Sequence, residues 1–413
     1  MNFHLYSKCG EGCGLALRLQ EEGNKVSVFI REREYRSVYK GILKQSKNFP
    51  DDAIVVFDSS GMGSEAEAFK KSGKKVFGGS IFADKIEMDR KFGLDLMTKA
   101  GIQIPETKEF NNVDDAIEFL HSSDEDYVFK PSGDLPSKLT YKPCDKEDLI
   151  KYLEFVEEEY DLADFVLQEV VEGCALSTEF FLGKSGFVGS ATHTIEVKKF
   201  MNCDLGPSTG CAGNTVWRAE DFITKKLKEA EKIFRSRDYI GPIDLNAIVN
   251  SSGFYGLEWT PRFGLDAMPT WLQLLKCDVG EVISGLIDGS LKEIELSEDF
   301  SSGVRVTIPP YPIEPESLKG IQRDSPNYGV PIRGVTDESK FYFYEVCQEN
   351  GDYYHSDGTG VIAVVSNTDS DIRTSFESVY EILEDLKIPD KQYRTDLGEV
   401  IPELYDEVVQ CLD

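Results

Sequence analysis

Basic residues are in short supply in this 413-residue chain: 45 Lys and Arg stand against 74 Asp and Glu, a formal net charge of −29. Such a surface repels phosphate polymers and anionic lipid, so general nucleic-acid or membrane-surface binding is not expected, whereas a nucleotide in one locally basic pocket is compatible with it. No run of about 20 apolar residues is present to span a bilayer. Met1-Asn2-Phe3-His4 is short and polar before Ser7 and Lys8, unlike a secretory leader. The nine cysteines are scattered, odd in number and unlike a disulfide framework, so a reduced cytoplasmic location is expected. Cys9 and Cys13 are the closest pair, but no second Cys/His pair follows at ligand spacing, and no zinc site is expected. Of the four histidines, His193 and His355 read as structural rather than catalytic. Cys211 has no identifiable base and is not read as a nucleophile.

Hydrophobic residues make up 40% and charged residues 29%, the balance of a folded protein, and the length calls for two to four subdomains. Over residues 1–104, short apolar runs at Phe3–Tyr6, Val26–Ile30, Ala53–Phe57 and Lys75–Phe77 alternate with helical stretches, which predicts a small parallel α/β sheet covered on both faces. Residues 105–300 read as α+β, with strands at Tyr127–Lys130 and Phe165–Val171, a helix at Lys146–Glu158 and a hairpin across Gly183–Gly186. A long glycine-bearing loop is expected next, then a helix over Ala219–Ser236 and two strands, Ile243–Val249 and Tyr255–Trp259. Residues 301–413 are β-rich and aromatic, closing with helices near Phe376–Leu386 and Val400–Val409.

Four local patterns carry chemistry. Asp244 and Glu258 lie on the two strands of a predicted hairpin turning at Asn250–Gly253, so both carboxylates fall on one face. Two hard oxygen ligands on a rigid platform suit Mg²⁺, the remaining positions being filled by water and triphosphate. Arg262, just past the second strand, can offer a planar fork to a phosphoryl or carboxylate oxygen. Taken alone, the hairpin reads equally well as a solvated acidic turn. Lys130 ends a strand and opens the small-residue loop Pro131–Lys138, a combination that suits a nucleotide phosphate. The segment Gln168-Glu169-Val170 leads from an apolar strand to a polar turn and can present backbone edge groups to a purine. The turn Gly10-Glu11-Gly12-Cys13-Gly14 lacks dinucleotide spacing; it reads first as a tight strand-to-helix turn and second as a rest for an anionic substrate group.

The linear order of these patterns resembles the ATP-grasp layout, and the chain is similar to phosphoribosylamine–glycine ligase over nearly its whole length. The resemblance rests on Asp204-Leu205-Gly206-Pro207-Ser208-Thr209-Gly210-Cys211-Ala212-Gly213 with Lys198-Lys199 before it, on Glu258-Trp259-Thr260-Pro261-Arg262-Phe263-Gly264, and on Tyr393-Arg394-Thr395-Asp396-Leu397-Gly398. It implies a pre-ATP-grasp domain over 1–104, a two-lobed ATP-grasp domain over 105–300 with a lid lobe at about 125–190, and a β-rich C-terminal domain over 301–413. It further implies Lys130, Lys138, Ser132 and Arg90 on ATP, and Gln168, Glu169 and Val170 at adenine. Asp244 and Glu258 are expected on Mg²⁺ or Mn²⁺, the loop Gly206, Pro207, Ser208, Thr209 and Gly210 on substrate, and Arg262 with Lys130 in catalysis.

The departures concern specific positions. Thr260 stands where the family has a metal-binding Asn, so either a weaker second metal site or the use of Asn246 as ligand is expected. Ala175 replaces the glutamate on the ATP ribose, for which Glu179 is the expected replacement. In the first domain, Cys9-Gly10-Glu11-Gly12-Cys13 and Asp58-Ser59-Ser60-Gly61 replace the family's Gly-Gly-Arg-Glu-His and Gly-Pro-Glu runs, which help form the phosphoribosylamine pocket.

The expectation is an ADP-forming carbon–nitrogen ligase acting on a small carboxylate, glycine or a similar amino acid, and a non-standard amine such as a modified nucleoside or nucleotide. A monomer or small homo-oligomer is expected. The alternatives are the standard phosphoribosylamine–glycine reaction, a catalytically silent nucleotide-binding regulator and, from the first glycine turn alone, a dehydrogenase.

Overall fold

Runs rich in Val, Ile and Phe pair in parallel at the start of the chain. The computed structural model describes residues 1–132, 139–160, 162, 164–235, 237–313, 328–356 and 358–412. Strands β1 (Asn2–Ser7), β2 (Lys25–Ile30), β3 (Ile54–Phe57) and β4 (Lys75–Phe77) form a sheet in the order β2-β1-β3-β4, with helices α1 (Cys13–Glu21) and α2 (Gly63–Lys71) in the crossovers. All four residues of β3 are buried, as a strand covered on both faces requires. Ser80 caps α3 (Ile81–Met88), and Asp89 ends it and starts α4 (Arg90–Lys99) by accepting the Phe92 N–H.

A three-stranded antiparallel sheet follows, made of β5 (Thr107–Phe110), β6 (Tyr127–Pro131) and β7 (Phe165–Glu169) in the order β5-β7-β6. Together with α5 (Val113–Ser122) and α6 (Lys146–Glu159) it builds its own core around Phe129, Leu153, Phe165 and Leu167, distinct from the core of the rest of the chain.

The remainder centres on an eight-stranded antiparallel sheet. Its members are β8 (Cys174–Gly183), β9 (Gly186–Lys199), β10 (Ser208–Ala219), β11 (Gly241–Asn250), β12 (Gly253–Thr260) and β13 (Phe300–Thr307), joined later by two C-terminal strands. Helix α7 (Phe222–Arg235) packs on it through Ile223, Leu227, Ala230 and Phe234, a stripe at helical spacing. Full burial of such a Leu or Phe is worth about 1.5–3 kcal/mol. Helices α8 (Ala267–Leu274) and α9 (Val279–Asp288) lead to β13. The C-terminal part adds β14 (Pro331–Ile332), β15 (Phe341–Phe343), β16 (Val346–Glu349), β17 (Asp352–His355), β18 (Val361–Asp369), α10 (Ile372–Asp385) and α11 (Leu397–Leu412). The large sheet runs β12-β11-β8-β9-β10-β13-β18-β15, while β14, β17 and β16 form a small sheet of their own.

Two expectations are corrected here. Residues 191–218, read as mostly loop, are largely β9 and β10, paired through Asn214↔Glu196, Thr215↔Ile195 and Val216↔Thr194. Cross-strand pairing overrides the local glycine signal, which is confined to an irregularity between Ser208 and Gly213. Strand β8 and the start of β9, assigned from sequence to the lid lobe, lie in the large sheet, which also passes without a break across the 300/301 boundary through β10–β13 pairing.

Candidate active site

The hairpin β11–β12 pairs Asp244 with Thr260 and Asn246 with Glu258, so all four side chains share one face. On the other side of β11, β8 places Glu179 opposite Asp244 and Ser177 opposite Asn246. The Asn246 amide donates to Asp244 Oδ2 at 3.1 Å and to Thr260 Oγ1 at 3.2 Å, and Ser177 Oγ donates to Asn246 Oδ1 at 2.8 Å. Asp244 is 7% exposed, yet its Oδ1 is buried with no hydrogen-bond partner. Burial, then the nearby Glu196 carboxylate, push the Asp244 pKa up to about 7, against the opposing pull of Ser177 and Arg262. Burial and Asp244 together hold the Glu179 carboxyl well above its ordinary range. The structure thus groups Glu179 with the acidic floor, opposite Asp244.

Mg²⁺ fits this floor. The orphaned Oδ1 is a hard acceptor lacking a donor, and Glu258 lies beside it, half-exposed, in the adjacent cross-strand pair. Among the described residues no three His, Cys, Asp or Glu side chains converge as a self-contained metal cage, so an ion here needs further oxygens from a bound phosphate.

Basic groups face the floor. Arg90 lies 3.9 Å from Glu258, and its Nε is buried without a partner. Lys130, on β6 of the small sheet, donates to Gln168 Oε1 at 2.6 Å, and the Gln168 amide donates to Thr107 Oγ1 at 3.0 Å. Burial first, then the Arg90 and Lys198 charges, pull the Lys130 pKa down to about 8, with Glu258 opposing. For Lys198, which sequence reading did not rank among the site residues, burial is the largest single influence and opposes the charge, but Glu196, Glu258, Cys211 and Asp244 together raise its pKa. The Glu169 N–H donates to Glu106 O, the Val170 N–H to Asp126 O and the Ser132 N–H to Asp164 O. These three backbone donors are therefore already engaged. Lys138 lies outside the described residues.

Arg262 is anchored by Glu87, its Nε and Nη2 lying 3.0 and 2.9 Å from Glu87 Oε1. This bond joins the end of β12 to α3. The substrate-loop residues Gly206, Pro207, Ser208 and Gly210 are exposed and Thr209 half-exposed, Thr209 Oγ1 donating to Lys198 O at 2.9 Å. Arg305 makes a two-pronged ion pair with Asp266 and donates to Tyr311 OH at 3.0 Å.

The first glycine turn is filled from within. Asp58, fully buried after β3, accepts from Gly12 N–H at 2.8 Å and from Ser7 Oγ at 2.5 Å, with its other oxygen on Ser59 Oγ at 2.9 Å. A Cβ at Gly12 would come within 2.5 Å of Asp58 Cβ, so glycine is needed for this approach. Burial raises the Asp58 pKa despite these donors, and burial with Asp58 raises that of Glu11. Glu87, Glu196 and the Asp266–Arg305 pair carried no local signal; only the tertiary fold brings them here.

The parallel sheet, the small antiparallel lobe and the large sheet define an ATP-grasp fold. Residues 88–237 match the family described as phosphoribosylglycinamide synthetase, ATP-grasp (A) domain, a match that includes Arg90, Lys130 and the substrate loop and ends before Asp244. The chain resembles phosphoribosylamine–glycine ligase throughout. It is 25% identical over 364 residues to the Streptococcus pneumoniae enzyme of that name, covering 84% of this chain and 82% of that one, and 24% identical over 351 residues to the Halalkalibacterium halodurans enzyme, covering 80% and 78%. The crystal structure of the Thermotoga maritima enzyme superposes with a TM-score of 0.75 at 19% identity, covering 96% of this chain and 100% of that one. The biotin carboxylase domain of the Hydrogenobacter thermophilus 2-oxoglutarate carboxylase, solved with MgADP, gives 0.65 at 13% identity, covering 98% and 94%.

Proposed function

We propose that the protein is an ADP-forming carboxylate–amine ligase that joins glycine or a similar amino acid to an amine other than phosphoribosylamine, such as a modified nucleoside or nucleotide. In this reaction a carboxylate oxygen attacks the γ-phosphorus of ATP, the bond to the β–γ bridging oxygen breaks, and an acyl phosphate and ADP result. The amine nitrogen then attacks the acyl carbon, phosphate leaves, and the amine gives up a proton. Lys130 and Arg90 would hold phosphate oxygens, and Arg262, fixed by Glu87, would steady the reacting carboxylate. Asp244, Glu258 and Asn246 would hold Mg²⁺, which when bound offsets triphosphate charge.

The observation that carries the choice of acceptor is Asp58 on the Gly12 N–H. A helix N-terminus of this kind attracts a substrate anion, and here an internal carboxylate already takes the N-cap Gly12 N–H and Tyr342 OH takes the Leu15 N–H, with Glu11 adjacent. A phosphate arriving there meets two acidic side chains, Glu11 and Asp58, while the nearby Arg262 and Arg305 are already paired with Glu87 and Asp266. The second reading, ligation of glycine to phosphoribosylamine itself, is favoured by the names of the relatives. A screen of ADP release with glycine and other amino acids, against phosphoribosylamine and a panel of amines, nucleosides and nucleotides, separates the two. Turnover with a panel amine and little with phosphoribosylamine is expected; the reverse would restore the second reading.

A further inference from the structure

The substrate loop is tied down by a residue far away in the chain. Arg394, 1% exposed, is buried where the segment before α11 meets the end of β9. Its Nη1 donates to Lys199 O at 3.1 Å and to Asp204 Oδ1 at 2.6 Å, while its Nε and Nη2 donate to the two carboxylate oxygens of Asp396 at 2.8 and 2.7 Å. The neighbouring residues complete the tie. The Asn202 amide donates to Thr395 Oγ1 at 2.7 Å and accepts the Thr395 N–H at 3.1 Å, and Cys203 N–H donates to Asp396 Oδ2 at 2.8 Å.

The tied segment needs such support. Cys203 and Asp204 have φ of 58° and 55°, a left-handed pair without glycine, which the backbone alone disfavours. Asp204 is mostly solvent-exposed, whereas the Arg394 side chain is fully buried, so the charge comes from the core and the loop comes to it. Gly206–Gly210 follows directly and returns to the strand through Phe200 N–H on Pro207 O.

We infer that Arg394 is a positioning residue: its ties to Asp204 and Lys199 O set the conformation of the loop Gly206–Gly210 that receives the carboxylate substrate. This rests on the ligase reading for the loop's task. The guanidinium suits the role because it is always charged and holds one fork on Asp396 while its remaining edge faces the loop; a lysine cannot do both.

The test uses the whole protein and two readouts. Tryptic cleavage between Lys199 and Phe200, followed by mass spectrometry, reads loop order without any substrate. Initial rates of ADP release with glycine as the varied carboxylate read loop function. For Asp204→Ala and Arg394→Lys, cleavage faster by about tenfold and a glycine KM raised by about tenfold are expected, the effect of losing one charge-assisted hydrogen bond. The ATP KM stays within about twofold. Asp204→Asn keeps an oxygen acceptor and tolerates left-handed φ, so it recovers part of both effects, which mere loss of stability would not explain. Unchanged cleavage in both variants overturns the inference. So does faster cleavage with an unchanged glycine KM, or with an ATP KM that rises equally. If the wild-type protein releases no ADP with any carboxylate, the ligase reading fails and cleavage alone decides whether Arg394 orders the loop.

Discussion

Two carboxylates in this molecule are equally buried and oppositely served. Asp244 and Glu345 are each 7% exposed. Glu345 Oε1 accepts from Thr359 N–H at 2.7 Å and Thr359 Oγ1 at 2.9 Å, and its Oε2 accepts from Gly360 N–H at 2.7 Å, Val361 N–H at 2.9 Å and His355 Nε2 at 3.3 Å. Asp244 has one oxygen without a donor and sits among Glu179, Glu196 and Glu258. A buried carboxylate satisfied on all sides is architecture; one left short among its own kind is stabilised only when a cation arrives. The fold is thus complete around Glu345, in the connection between β15 and β16, and the site incomplete around Asp244 on the eight-stranded sheet.

The largest expected effect lies on the incomplete side. Asp244→Asn or Glu258→Gln should lower ADP release by about a thousandfold, roughly 4 kcal/mol of barrier, with the circular dichroism of the folded protein retained. Glu345→Gln should destabilise the fold by about 3 kcal/mol in denaturant titration, because an amide NH₂ then confronts backbone N–H groups. In the same titration at pH 8, Asp244→Asn should be neutral or more stable by about 1–2 kcal/mol. The sign follows from linkage: a carboxyl raised from 3.8 to about 7 in the fold loses stability as pH rises between those two values, and the loss is complete at pH 8. If Asp244→Asn is as damaging to stability as Glu345→Gln, the contrast between the two acids is false.

The smallest effect concerns Lys130. Its proton leaves the ATP-free protein as pH rises through about 8, and ATP binding favours the charged form. ATP affinity should therefore fall by about tenfold, 1.4 kcal/mol, between pH 7 and 9, with proton uptake on binding near pH 8 that Lys130→Ala abolishes. Calorimetry in buffers of different ionisation enthalpy checks both points, and an affinity flat across that range would remove Lys130 from the phosphate site.

Much of the site was legible where chemistry and local pattern coincide. Asp244, Asn246 and Glu258 could be placed on one face because a hairpin alternates with period two, and Lys130 because it ends a strand before small residues. Pairing partners contributed by other elements were not legible. Nothing near Asp58 announces Gly12, 46 residues away, and nothing near Arg394 announces Asp204, 190 residues away. The glycines and Pro207 signalled a loop, and that local signal hid β9 and β10, whose pairing sets the position of Glu196 and Lys198. The four-residue spacing placed Glu179 on the face of Ala175, as the register of β8 on β11 does, but not its partner Asp244, which comes from another strand.

The acceptor is the point on which the account stands or falls most directly. Purified protein incubated with ATP, Mg²⁺, glycine and freshly generated phosphoribosylamine can be assayed by mass spectrometry for glycinamide ribonucleotide. With Asp58 on the Gly12 N–H and Glu11 beside it, the account predicts little or none, and an amide product when the phosphoribosylamine is replaced by an amine from the panel. Efficient formation of glycinamide ribonucleotide would contradict it.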